Sequence, residues 1–112
     1  MNQNKVSKRK AKDIACPVES ILKVIAGKWK VLVLYYLLQG TKRFNELHRS
    51  LPGISHRTLI KQLRELEKDG ILNRKVYAQI PPKVEYSLTV KGKSLEPVLN
   101  AMHIWSEKYS AL

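Results

Sequence analysis

Residues 51–70 read LPGISHRTLIKQLRELEKDG, a tight Pro-Gly turn followed by a strongly two-sided helical pattern, and few folds accommodate that order. At 100° per residue Leu59, Leu63 and Leu66 fall on one side, while Arg57, Lys61, Arg64 and Lys68 fall opposite. Ser55 is suited to cap the helix, and Ile54 before it can staple onto Leu59. Just upstream, FNELHRSL sets Phe44, Leu47 and Leu51 at helical spacing. A short helix, a tight turn and an amphipathic helix follow one another.

After Gly70 the period changes. ILNRKVYAQ and KVEYSLT are rich in Val, Ile and Tyr, with IPP between them, which predicts a hairpin. In its second strand Val84, Tyr86 and Leu88 alternate with Lys83, Glu85 and Ser87, so one face packs and the other meets solvent. Helix-turn-helix order followed by a hairpin predicts a winged helix-turn-helix, mainly α with a small β-hairpin.

The remaining segments flank that unit. The 112 residues suffice for one domain with a modest core. Residues 1–12 hold Lys5, Lys8, Arg9, Lys10 and Lys12 and little apolar surface, so they are expected to form a flexible basic tail. Residues 13–112 then form the single domain, with a core unit at about 28–88 and added helices at about 16–26 and 93–109. The first added helix is expected to begin with Cys16 at its N-cap and Pro17 at its first position, and it carries the stripe Ile14, Val18, Ile21, Leu22 and Ile25. KWKVLVLYYLLQG is apolar almost all round and should be the central helix; its run from Val31 to Leu38 is far short of the roughly 20 residues that span a bilayer. The last segment, Thr89 to about Tyr109, is expected to be helical, with Pro97 kinking or dividing it. Its stripe is Leu95, Leu99, Met102 and Tyr109.

Lysine and arginine number 21 against 9 acidic residues, a formal net charge of +12, which points to a polyanionic partner. A helix fits the major groove and arginine can fork onto guanine, so double-stranded DNA is the first candidate. Arg57 is then the leading base reader, with Ser55, His56 and Thr58 on the same turn. Lys61, Arg64 and Arg43 suit phosphates or neighbouring bases, and Lys75, Gln79 and Lys83 on the hairpin suit the flanking backbone or minor groove. A charged face is also compatible with simple solvation. The alternative function is a non-catalytic protein- or membrane-surface interaction module, which would attach to DNA without sequence preference. His48, His56 and His103 lack metal-ligand spacing, and neither a phosphate loop nor a nucleophile motif is present. No enzyme activity, metal or cofactor is therefore expected. The start has no apolar core of a secretory signal, and the single cysteine allows no intrachain disulfide; a bacterial cytoplasmic setting without a membrane fits.

The succession CPVE, GKWK, RFNELHRSLPGIS, RTLIKQLRELEKDG, PPKVEYSLT, KG and Trp105 resembles the HxlR-type winged helix-turn-helix regulators, relatives of the MarR group, from Cys16 to about Tyr109. The resemblance implies a bacterial transcription factor that binds DNA as a homodimer through its first and last helices. Apolar stripes beyond the winged-helix unit point the same way, with Val18, Ile21, Leu22, Ile25, Leu99, Met102, Trp105 and Tyr109 as interface candidates. A two-fold dimer predicts an operator with inverted symmetry. At a helix amino terminus a thiolate is favoured, and several family members resemble this chain in having an amino-terminal cysteine and responding to oxidants or electrophiles, so Cys16 is a redox-sensing candidate. Packing of a small apolar residue at an interface is the competing role for Cys16. An oxidant, an electrophile or another small molecule would be the effector.

Overall fold

A computed structural model describes the backbone of residues 11–110 and the side chains of residues 18–110. The elements run α1 (Ala11–Ile25), α2 (Lys28–Leu38), β1 (Lys42–Arg43), α3 (Phe44–Ser50), α4 (His56–Lys68), β2 (Leu72–Tyr77), β3 (Lys83–Leu88), α5 (Val90–Lys93) and α6 (Glu96–Tyr109). The expected basic tail falls outside the described residues except for Ala11 and Lys12, which belong to α1.

The core is the set of positions that helical and strand periodicity mark as inward. Val33, Leu34 and Leu37 of α2, Leu47 of α3, Leu59, Leu63 and Leu66 of α4, and Tyr86 and Leu88 of β3 are all buried in one cluster. Leu51 and Ile54 close the cluster beneath the turn between α3 and α4, where Gly53 takes a φ of 89° that other residues rarely adopt. Each fully buried aliphatic side chain contributes about 1.5–3 kcal/mol.

The sheet has three antiparallel strands in the order β1-β3-β2, not the two of a simple hairpin. Lys42 pairs with Tyr86 and Arg43 with Glu85, so a two-residue strand ahead of α3 fastens the wing to the helices. A strand this short has no alternating pattern to reveal it.

Two expectations about the flanking helices need correction. α1 already includes Ala11–Ala15, so Cys16 is not an N-cap and Pro17 is not the first helical residue. The good helix formers Ala11, Lys12 and Ala15 carry the helix upstream of the proline. The C-terminal segment divides at Ser94 and Leu95, and Pro97 sits in the first turn of α6, where its missing N–H costs nothing. α6 is tied to the body by the Tyr35 hydroxyl, which donates to the Leu99 carbonyl at 2.6 Å.

Candidate nucleic-acid interface

The leading turn of α4 is built around its cap. The Ser55 hydroxyl accepts from the Thr58 amide at 3.0 Å and donates to Thr58 Oγ1 at 2.8 Å. This fixes the first turn. Arg57, Lys61 and Arg64 are exposed on the face opposite Leu59, Leu63 and Leu66, and His56 is exposed on the flank beside that buried face. His56 stacks edge-on against Phe44 with ring centroids 4.8 Å apart, and the His48 ring lies 6.0 Å beyond. His48 Nε2 is 3.1 Å from the Ile54 carbonyl, so α3 holds the turn that aims α4.

An ion pair buried at its lysine end fixes the other side of α4. Lys30 of α2 is almost wholly buried, and its Nζ lies 2.7 Å from Glu65 Oε1. The hydrogen bond and charge of Lys30 hold the Glu65 carboxyl below the usual carboxylate range, with a smaller contribution from Lys61. Sequence periodicity gave no hint of this pair, because Lys30 reads as one of two lysines in the first turn of an apolar helix.

The wing carries its charges differently. Arg43, Glu85 and Lys75 lie in one row across the three strands. Lys83 Nζ is 3.3 Å from Glu85 Oε2, and the Tyr77 hydroxyl donates to Glu85 Oε1 at 2.9 Å. That Tyr77 hydrogen bond, followed by Lys83 and Arg43, lowers the Glu85 pKa against the opposing effect of burial. Between α4 and the wing opens a cleft of about 570 Å³, with Arg43, Arg64, Gln79 and Lys83 on its walls over Phe44 and Ile60. Arg74 also lines it, and was not among the expected contact residues; it lies opposite Tyr86, on the sheet face turned toward α4. Of the expected contacts, Arg43, His56, Arg64, Gln79 and Lys83 thus meet at the cleft, with Lys83 partly committed to Glu85, whereas Ser55, Arg57, Thr58, Lys61 and Lys75 do not line it.

The interface candidates divide. Ile25 and Leu99 are buried in the chain's own core, where inward turns of α1 and α6 use them to dock on α2. Ile21 is half-buried. Val18, Leu22, Met102, Trp105 and Tyr109 are exposed, with Trp105 at 62 %. The Cys16 side chain lies outside the described residues. Among the described residues no cluster of three metal-ligating side chains occurs, and no helix is long and apolar enough to cross a membrane.

A helix-turn-helix whose second helix presents a cationic face, flanked by a three-stranded wing, defines a winged helix-turn-helix protein. The HxlR-like helix-turn-helix family matches residues 24–112, and the chain belongs to that family of transcriptional regulators. It is 57 % identical over 94 residues to the HTH-type transcriptional regulator YdeP of Bacillus subtilis (strain 168), covering 84 % of this chain and 73 % of YdeP. The reduced form of the redox regulator HypR superposes with a TM-score of 0.81 at 54 % identity, over 85 % of this chain and 94 % of HypR. Its oxidised form gives 0.80 at 54 % identity, over 87 % and 100 %. A MarR-family regulator of Porphyromonas gingivalis W83 gives 0.83 at 36 % identity, over 90 % and 99 %.

Proposed function

We infer that the protein is a cytoplasmic regulator that binds specific duplex DNA as a homodimer on an inverted-repeat operator. The observation that carries this reading is the outward row of Arg57, Lys61 and Arg64 on a helix whose opposite face is buried. In the major groove Arg57 reads a base edge, Ser55, His56 and Thr58 contact bases or phosphates, and Lys61, Arg64 and Arg43 grip the backbone. Lys75, Gln79 and Lys83 serve the flanking duplex. Two copies joined through α1 and α6 present two α4 helices to half-sites about one helical turn, or a small multiple, apart.

Redox control is assigned to Cys16, the sole cysteine. Support comes from the likeness to HypR, a redox regulator solved in reduced and oxidised forms. The helix dipole lends no support, since its field fades within the first turn and α1 begins upstream of Cys16. Oxidation would yield a sulfenic acid, a mixed disulfide with a small thiol, or a Cys16 bridge between subunits.

The test is titration at fixed salt of duplex DNA from upstream of the protein's own gene, and of scrambled duplex, with the protein reduced and then oxidised. Selective binding that oxidation alters, and that becomes redox-blind in Cys16→Ser, is expected. Equal weak binding to this and every other promoter duplex would overturn the reading in favour of an interaction module. An unchanged oxidant response in Cys16→Ser would remove the sensor.

A further inference from the structure

The lysines of the wing are turned back onto the strands. Lys83 is paired with Glu85 and lies 4.4 Å from the centre of the Tyr77 ring, and Lys75 lies 4.9 Å from the same ring. Beyond them the turn Ala78-Gln79-Ile80-Pro81-Pro82 carries no charge. Ile80 is 99 % exposed, the most of any large hydrophobic side chain among the described residues. Pro81 and Pro82 behind it are exposed too, and their rings fix φ on that side of the turn. On the other side the Gln79 amide donates to the Tyr77 carbonyl at 2.9 Å. A stiff apolar tip thus projects from a protein with a net charge of +12.

Single exposed aliphatics are common on protein surfaces. This one stands at a particular place. His56, Ile60 and Arg64 of α4 form one wall of the cleft, and Gln79, Pro81 and Pro82 of the tip form the other. The tip therefore stands across the cleft from Arg64, which belongs to the exposed row of α4. With α4 in a major groove the tip meets the neighbouring minor groove, which is about 6 Å wide.

We propose that Ile80, backed by Pro81 and Pro82, is an apolar wedge that enters this minor groove and opens a pyrimidine–purine base step beside the half-site. The proposal rests on the DNA-binding reading above. Steps such as TA unstack most easily, and apolar wedges between base steps kink the duplex toward the major groove. Sequence preference then arises at a base step where the wing makes no hydrogen bond.

The test begins by selecting duplexes with the full-length protein from a random-sequence pool. On an enriched duplex, affinity and end-to-end distance by fluorescence transfer are compared with TA or AA at the flanking step, for wild type, Ile80→Ala and Ile80→Lys. Wild type is expected to bend the TA duplex and prefer it. Ile80→Ala should bind it about ten-fold more weakly, the scale of one buried aliphatic side chain, with bend and preference lost. Ile80→Lys should regain affinity through phosphate attraction without regaining either. Both substitutions lie in solvent, so unchanged thermal melts are expected. The wedge is overturned if wild type neither bends the duplex nor distinguishes the steps, or if Ile80→Ala keeps both properties. Failure of the wild type to enrich any sequence would instead sink the regulator reading, and the wedge with it, before a variant is made.

Discussion

At the scale of single residues, Arg57 and Lys61 share one exposed face but differ in what their loss should do. A planar guanidinium can pair with a base edge, so Arg57→Ala should cost about 1–3 kcal/mol on the preferred duplex and relax selectivity at one base pair. Lys61→Ala should weaken all duplexes alike and reduce the slope of log K against log salt by about 1. Binding curves at several salt concentrations separate the two, and identical effects would contradict the assignment of roles. Gly92 is special for a structural reason. An added Cβ there would sit well inside van der Waals contact distance of the Ile71 carbonyl oxygen, while the Thr89 hydroxyl bridges the Gly70 and Ile71 carbonyls and the Gly92 amide. Gly92→Ala should therefore destabilise by about 1–3 kcal/mol, read from a thermal melt, because the obstacle is backbone that cannot swing aside.

Among the elements, α3, α4 and the β2–β3 hairpin were legible because each buries one face, and a buried face stamps its period on the sequence: Leu59, Leu63 and Leu66 are inward as spaced, and so are Tyr86 and Leu88. What was hidden was held by tertiary contact. β1 exists because Lys42 and Arg43 find partners on β3, and α1 starts upstream of the proline that marked its expected beginning. The site was legible to a similar degree: the row on α4 follows from periodicity, whereas Arg74 on the cleft and the pairing of Lys83 with Glu85 depend on strand register. The pair that joins α2 to α4 was equally hidden, and it predicts an asymmetry. The Lys30 side chain is 9 % exposed and that of Glu65 is 41 % exposed. Glu65→Gln strips a buried ammonium of its counter-charge, whereas Lys30→Met leaves a carboxylate that water can reach, so Glu65→Gln should lower the urea midpoint more at pH 7. The folded pKa of Glu65 lies below its unfolded value, so the ionised pair stabilises above the unfolded carboxylate range and loses its effect as pH falls through the folded pKa. Wild type and Glu65→Gln should therefore converge in midpoint on acidification. A gap that persists at acid pH would show that the charge of Glu65 is not what matters.

On the scale of the whole molecule, the distribution of apolar surface is uneven. The helices and sheet between Lys28 and Leu88 bury nearly all their inward positions, while α1 and α6 leave Val18, Leu22, Met102, Trp105 and Tyr109 in solvent. Trp105 and Tyr109 stack with ring centroids 5.5 Å apart, one turn from each other on α6, and Pro97, Val98 and Met102 extend the same helix surface. Leu99, turned into the core, anchors α6 to the body, so the exposed residues of α6 can change without loss of that anchor. A patch of this kind on a small cationic protein is energetically favoured to be covered, and the homodimer proposed above would cover it with its own copy. Trp105→Glu should then convert the protein from twice the chain mass to the chain mass in light scattering, with the thermal melt of the monomer preserved by the untouched core. The same substitution should roughly halve the salt slope of DNA binding, because one α4 helix and one wing release half the counterions of two. Affinity for an inverted repeat should fall to that for a single half-site, since the linked second binding event is gone. If Trp105→Glu stayed dimeric and kept the full slope, the exposed stripe of α6 would not be the surface that joins the subunits, and the two recognition helices would have to be paired through some other face.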